Sequence, residues 1–123
     1  MSPKTRKLAL TMAMAVVALI MLAGGGAKLA GVPQVHAGFV ALGLPAWFGY
    51  FIGACEVAGA IGLFIPRLSA LAAAGIAMIM IGAAYFHVAH TPIAQAVPAV
   101  VVLLLCGFII QQRRLSVGSP AQA

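Results

Sequence analysis

One carboxylate, Glu56, stands in a chain of 123 residues that otherwise carries seven Lys/Arg and three His. It lies inside the apolar run 47–65, about 14 Å from the Ile65 end at 1.5 Å per helical residue. An unpaired ionised acid at such a depth costs several kcal/mol, so a partner must reach it or it must keep its proton. Residues at matching depth on the other apolar runs are Val17, Ala77 and Val101, none of which can pair a carboxylate. The nearest candidates all lie toward one end: Lys28, His87, Tyr50 and His90. His87 and His90 are three residues apart and share a helix face with Ala83. Together these side chains suit a polar, outward-opening pocket. The pocket residues there can hydrogen-bond a ligand carbonyl through Lys28 or an imidazole N–H, and Glu56 and His87 can relay a proton. A second reading stands beside it, in which Glu56 with Lys28 or His87 is a lock between helices and holds no ligand.

Other chemistries find little support. His36, His87 and His90 lack the local spacing of a metal motif, and no metal site is expected. Cys55 and Cys106 form neither CxxC nor CxxCH, so no haem or Fe–S signature is present, and both read as small buried hydrophobes.

The elements that must position these residues follow from composition. Hydrophobic residues make up 64% of the chain, charged residues 7%, and mean hydropathy is +1.16. A soluble domain carries about 25% charged residues, so the solvent here is a bilayer. A helix needs about 20 apolar residues to cross, and four runs qualify: 8–27, 47–65, 68–87 and 93–110. The expected fold is all-α, an integral membrane four-helix bundle forming one transmembrane domain over 1–123, with a tail over 111–123. The loop 28–45 is the one long connection. Pro33 can open a short interfacial helix there, with Val32, Val35, Phe39 and Leu42 on one side and Gly43 ending it. Pro66-Arg67 and Pro92 mark turns, and Pro98 is tolerated near the start of the last helix.

Counting basic residues by side puts Lys4, Arg6, Lys7, Arg67, Arg113 and Arg114 on one face against Lys28 on the other. The positive-inside rule then makes the chain a multi-pass protein of a bacterial-type cytoplasmic membrane, with both termini cytoplasmic. Trp47 and Tyr50 fit an outer aromatic belt. The same placement explains the net charge of +6 without nucleic acid, since the cations share no polar face. Met1 to Lys7 resembles a signal n-region, but the apolar run is longer than an h-region and Val35-His36-Ala37 lies too far beyond it for cleavage.

Small residues should mediate packing. Gly49-x-x-x-Gly53 and then Ala54, Ala58 and Gly62 recur on the second span, and helical spacing groups Gly49, Gly53, Glu56, Gly59, Ala60 and Leu63 on one face. Gly24-Gly25-Gly26 should loosen the first helix and let Lys28 dip inward. Met12, Met14, Met78 and Met80 are expected to fill core gaps.

At these residues the chain resembles the DoxX-like family of small four-span membrane proteins. The pieces are Ala27-Lys28-Leu29-Ala30-Gly31, Phe39, Leu42-Gly43-Leu44-Pro45, Gly53-x-x-Glu56-x-x-Gly59-Ala60-Ile61-Gly62-Leu63, Ile65-Pro66-Arg67, Met80, Ala83-Ala84 and His87. The resemblance covers about 22–90, and the last span matches by hydropathy alone. It implies a link to membrane redox systems, and on that footing the expected role is an accessory or small-molecule-binding component; the cofactor is unknown, with quinone the candidate, and the lipid bilayer, other redox subunits or a homo-oligomer are the candidate partners. Lys28, Glu56 and His87 fall on the pattern's polar positions; no catalytic motif accompanies them. The alternative is a structural or assembly subunit with no chemistry of its own. A transporter is disfavoured, because four spans show neither paired repeats nor broken helices.

Overall fold

The first helix begins where Ser2 caps it, its hydroxyl accepting from the Thr5 amide at 3.1 Å, with Pro3 pre-set for the first turn. In the computed structural model, which describes residues 1–117 and side chains as far as Arg114, this helix α1 runs Pro3–Leu29. It ends at Gly31, whose φ of +77° only glycine adopts cheaply. Pro33 then opens the short helix α2, Pro33–Ala41, and Gly43 at φ +77° ends it. Three longer helices follow: α3 Phe48–Gly62, α4 Ser69–His90, and α5 Val97–Val117, entered through a 3-10 turn at Ile93–Ala96. Pro98 is the second residue of α5, where a missing N–H removes no helical bond.

Three segments, Pro3–Leu29, Ser69–His90 and Ile93–Arg114, are long and apolar enough to cross a bilayer. α3 is shorter than its apolar run. Its 15 residues span about 22 Å against about 30 Å of hydrocarbon. Beyond Gly62 the chain tightens, with Phe64 donating to the Ile61 carbonyl and Ile65 to that of Gly62, each at 3.1 Å. Pro66 is the cause, because it disfavours helical geometry at Ile65. α5 runs past 110, since Gln111, Gln112, Arg113 and Arg114 are good helix formers. The rest of the expected tail, 118–123, lies outside the described residues.

Close approaches fix the arrangement of the helices. Gly25 faces Gly53, while Gly59 meets Ile76 and Gly62 meets Ala72, so α1 and α4 both run antiparallel to α3. Val17, Met21, Leu63, Ile76, Val102 and Ile109 are fully buried between the helices. Leu19, Leu71 and Leu104 are about as apolar but point outward, 68%, 72% and 69% exposed. An exterior as apolar as the core suits hydrocarbon, not water.

At one end Arg113 of α5 donates from Nε to the Ser69 hydroxyl at 3.0 Å and from a terminal nitrogen to Met14 Sδ at 3.4 Å. This clasp joins α1, α4 and α5 around a Ser69 with no exposed surface. α1 projects beyond it, carrying Lys4, Arg6 and Lys7 in the open.

Two packing expectations need correction. Met14 and Met80 are buried as expected, but Met12 and Met78 face outward at 59% and 74% exposure. Residues two apart on a helix lie on nearly opposite sides, so both members of such a pair cannot face one core. The small-residue stripe of α3 divides likewise: Gly49 and Gly53 are buried, while Ala54 and Ala58 are exposed.

Candidate functional site

The site grows from the α1–α3 crossing. A methyl group at Gly25 would lie 2.8 Å from the Gly53 carbonyl oxygen, and one at Gly53 would lie 2.7 Å from Lys28 Cβ. Backbone meets backbone there, which only glycine permits. α1 stays helical through Gly24–Gly26, contrary to the expected loosening. Lys28 reaches Glu56 instead because helical side chains lean toward the N-terminus. Its amine folds back over Gly24, where an added Cβ would lie 3.7 Å from Nζ and 3.4 Å from Glu56 Oε2.

Lys28 Nζ lies 2.7 Å from Glu56 Oε1, and the two side chains are 15% and 3% exposed. The amine sits off the direction a hydrogen bond requires, so Oε1 has charge compensation but no aligned donor among the described residues. We regard the contact as an ion pair, because Coulomb attraction at this separation does not depend on angle.

His87 is half-buried, one turn beyond Ala83. Its Nδ1 lies 3.1 Å from Thr91 Oγ1, and that hydroxyl donates to a backbone carbonyl, of His87 at 2.9 Å or Pro92 at 3.3 Å. When the hydroxyl proton goes to a carbonyl, Oγ1 is left to accept and Nδ1 donates. In the neutral ring Nε2 then carries a free lone pair.

A cavity of about 590 Å³ opens beside these groups. Lys28, Glu56 and His87 all line it, with Ile52 and Phe48 from α3, Met78, Met80, Ala83 and Phe86 from α4, and Gln34, Val35, Gly38 and Phe39 from α2. α2 thus closes one side, with Gly38 against the Phe86 ring. The lining is mostly aliphatic and aromatic with a few convergent polar groups, as in small-molecule sites.

Tyr50 and His90 are not among the lining residues. Tyr50 stacks on His36, ring centroids 4.4 Å apart, and His36 Nε2 donates to the Lys28 carbonyl at 2.8 Å. His36 and Tyr50 therefore brace the end of α1 that carries the lysine. The imidazole of His90 rests 5.3 Å from the Phe86 ring and is exposed. Sequence reasoning missed Gln34, Phe48 and Phe86 as wall residues. Gln34 directly after Pro33, on a helix whose one other polar side chain is His36, was the available signal for it; the phenylalanines offer none.

Comparison with curated proteins and with solved structures finds no match. A family model described as the DoxX-like family matches residues 12–109. That stretch takes in α2, α3 and α4 whole, most of α1 and α5, both residues of the ion pair and His87, and the chain belongs to the DoxX-like family of membrane proteins.

Proposed function

We propose that this protein is a small-molecule-binding accessory component of a membrane redox system, holding a quinone head group in the cavity between α2, α3 and α4. The observation that carries this reading is the buried Lys28–Glu56 ion pair in the wall of an otherwise mostly apolar cavity, with His87 beside it. A quinol hydroxyl donates to the carboxylate, and His87 accepts from a second hydroxyl. Lys28 offers the complementary donor to the carbonyl of the oxidised form. Quinol oxidation releases two protons and two electrons; Glu56 and His87 are placed for the protons, and a redox partner subunit takes the electrons. In the membrane α3 completes a fourth crossing, with the turns through Ile65 adding to its length. The basic end, from Lys4 to Arg114, faces the cytoplasm of a bacterial-type inner membrane.

A test follows directly. Quinone co-purifying with the protein is quantified for the wild type, Glu56→Gln and His87→Ala, alongside thermal stability in detergent. Both variants should fold and lose most of the bound quinone. Full retention in both would remove the pocket reading.

A second reading has its own support: the Lys28–Glu56 pair joins α1 to α3 at their glycine crossing, where a purely structural lock would sit. Under it the protein assembles with other membrane subunits or copies of itself, and a stoichiometric protein partner replaces quinone in the purified material.

A further inference from the structure

The head-group cavity does not end at its polar wall. Ile52, Met78 and Ile79 line it and also line a second, almost wholly apolar hollow of about 450 Å³ between α3 and α4. This groove continues past Ala58, Gly62 and Gly75 toward Leu68, at the Pro66 end of the bundle. Its rims, Phe51, Leu71 and Met78, are 53%, 72% and 74% exposed, so it opens sideways to the surroundings of the bundle. Small residues line it, among them the exposed Gly75, where an added Cβ would meet nothing within 4 Å. From Ile52 to Gly62 it runs about 15 Å along the helix axis.

From this continuity we infer that the α3–α4 groove is the tail site of the same ligand, which enters sideways from the bilayer as a membrane-resident amphiphile. The inference rests on the proposed quinone-head reading and extends it. A polar cavity toward the α2 end and an apolar trough beside it, running past mid-depth toward the Pro66 end, give one amphiphile a place for its head and another for its chain. A groove without polar groups recognises nothing but hydrocarbon, and about 15 Å accommodates some twelve carbons or three isoprene units. The head fixes which molecule binds; the groove requires that it carry a chain.

The probe is a 2-dodecyl-1,4-benzoquinol bearing a diazirine at tail carbon 10, bound to the full-length protein in phosphatidylcholine vesicles, photolysed and mapped by mass spectrometry. Label should fall on 58–62 and 68–76 and be competed by the unlabelled dodecyl compound. Gly75→Leu fills the groove at a position with free space, so it should fold as the wild type does. It should weaken capture of the dodecyl probe at least five-fold while binding of the 2-methyl analogue stays within two-fold. If the methyl analogue binds in a Glu56-dependent way but the tail label falls elsewhere, or if Gly75→Leu binds the dodecyl probe normally, the tail site is refuted and the head reading survives. Failure of the methyl analogue to bind removes the head reading and the tail site with it. A Gly75→Cys protein that oxidises to a disulfide dimer, unaffected by the probe, would assign the groove to a second copy and overturn the proposal.

Discussion

Replacing Gly53 by alanine tests the α1–α3 crossing on which the site depends. The new methyl would stand 2.7 Å from Lys28 Cβ and 2.9 Å from the Gly25 carbonyl oxygen. Neither atom can turn aside, since one is a Cβ and the other is backbone. Restoring carbon contacts of about 3.5 Å requires the helices to part by roughly 0.6–0.8 Å, and overpacking of this kind costs about 1–3 kcal/mol. Alanine also gains about 0.5–1 kcal/mol over glycine inside a helix, which blurs a single measurement. Gly26→Ala removes that ambiguity, because a methyl there meets nothing within 4 Å. The propensity gain is common to both variants, so the difference between them is steric alone, about 1–3 kcal/mol. Reversible unfolding in mixed micelles, followed by far-UV circular dichroism, reads it. Gly25→Ala combined with Gly53→Ala should cost less than the sum of the two, since the first separation makes room for the second. If Gly53→Ala is as stable as Gly26→Ala, the helices do not cross at backbone contact and the placement of Lys28 has no basis.

Lys28→Met should cost about 3–5 kcal/mol, the usual penalty for stranding one member of a buried pair. Lys28→Met with Glu56→Gln should recover most of that loss in the same unfolding assay, and a double variant as unstable as the single would argue against pairing. Ser69→Ala deprives Arg113 of its hydroxyl acceptor and should cost about 1–3 kcal/mol; an unaltered unfolding midpoint would leave the clasp without energetic weight. In intact cells, membrane-impermeant maleimide should label Val40→Cys, which is 63% exposed on α2, and spare Arg67→Cys. Labelling of Arg67→Cys from outside would reverse the orientation or change the number of crossings.

Much of this architecture is legible from residue order, because each helix boundary is written in residues with one conformational meaning. Pro33 and Gly43 bracket α2, and the period of Gly53, Glu56 and Ala60 points the carboxylate inward before any coordinate is known. Lys28 could be named as a partner for Glu56 because few polar groups lie within reach. What stays hidden depends on the path of the chain in space. The glycine triplet reads as a weak point in α1, yet in the fold two of its members, Gly24 and Gly25, are the surface against which α3 packs. Whether a glycine loosens a helix or seats a neighbour depends on what stands opposite, and sequence spacing does not record that. Arg113 reads only as a topogenic charge, since its pairing with Ser69 requires two helix ends 44 residues apart to meet. α3 stops short of its apolar run because Pro66 constrains the residue before it, a local rule that hydropathy does not express.

The Arg113 clasp also sets an order on the birth of the molecule. Its contact with Met14 closes a loop across a sequence separation of 99 residues, so the first helix waits for the last before its end is tied. The Lys28–Glu56 pair needs nothing beyond the first three helices. Ribosomes add about 5–20 residues per second, so several seconds pass after α3 is made before Arg113 is synthesised. Through that interval the nascent chain holds its buried charges already matched, while Ser69 waits without its donor. A chain stopped before Arg113 would therefore keep the inner pair and leave the start of α4 unfastened, an exposed polar edge that membrane quality control could recognise.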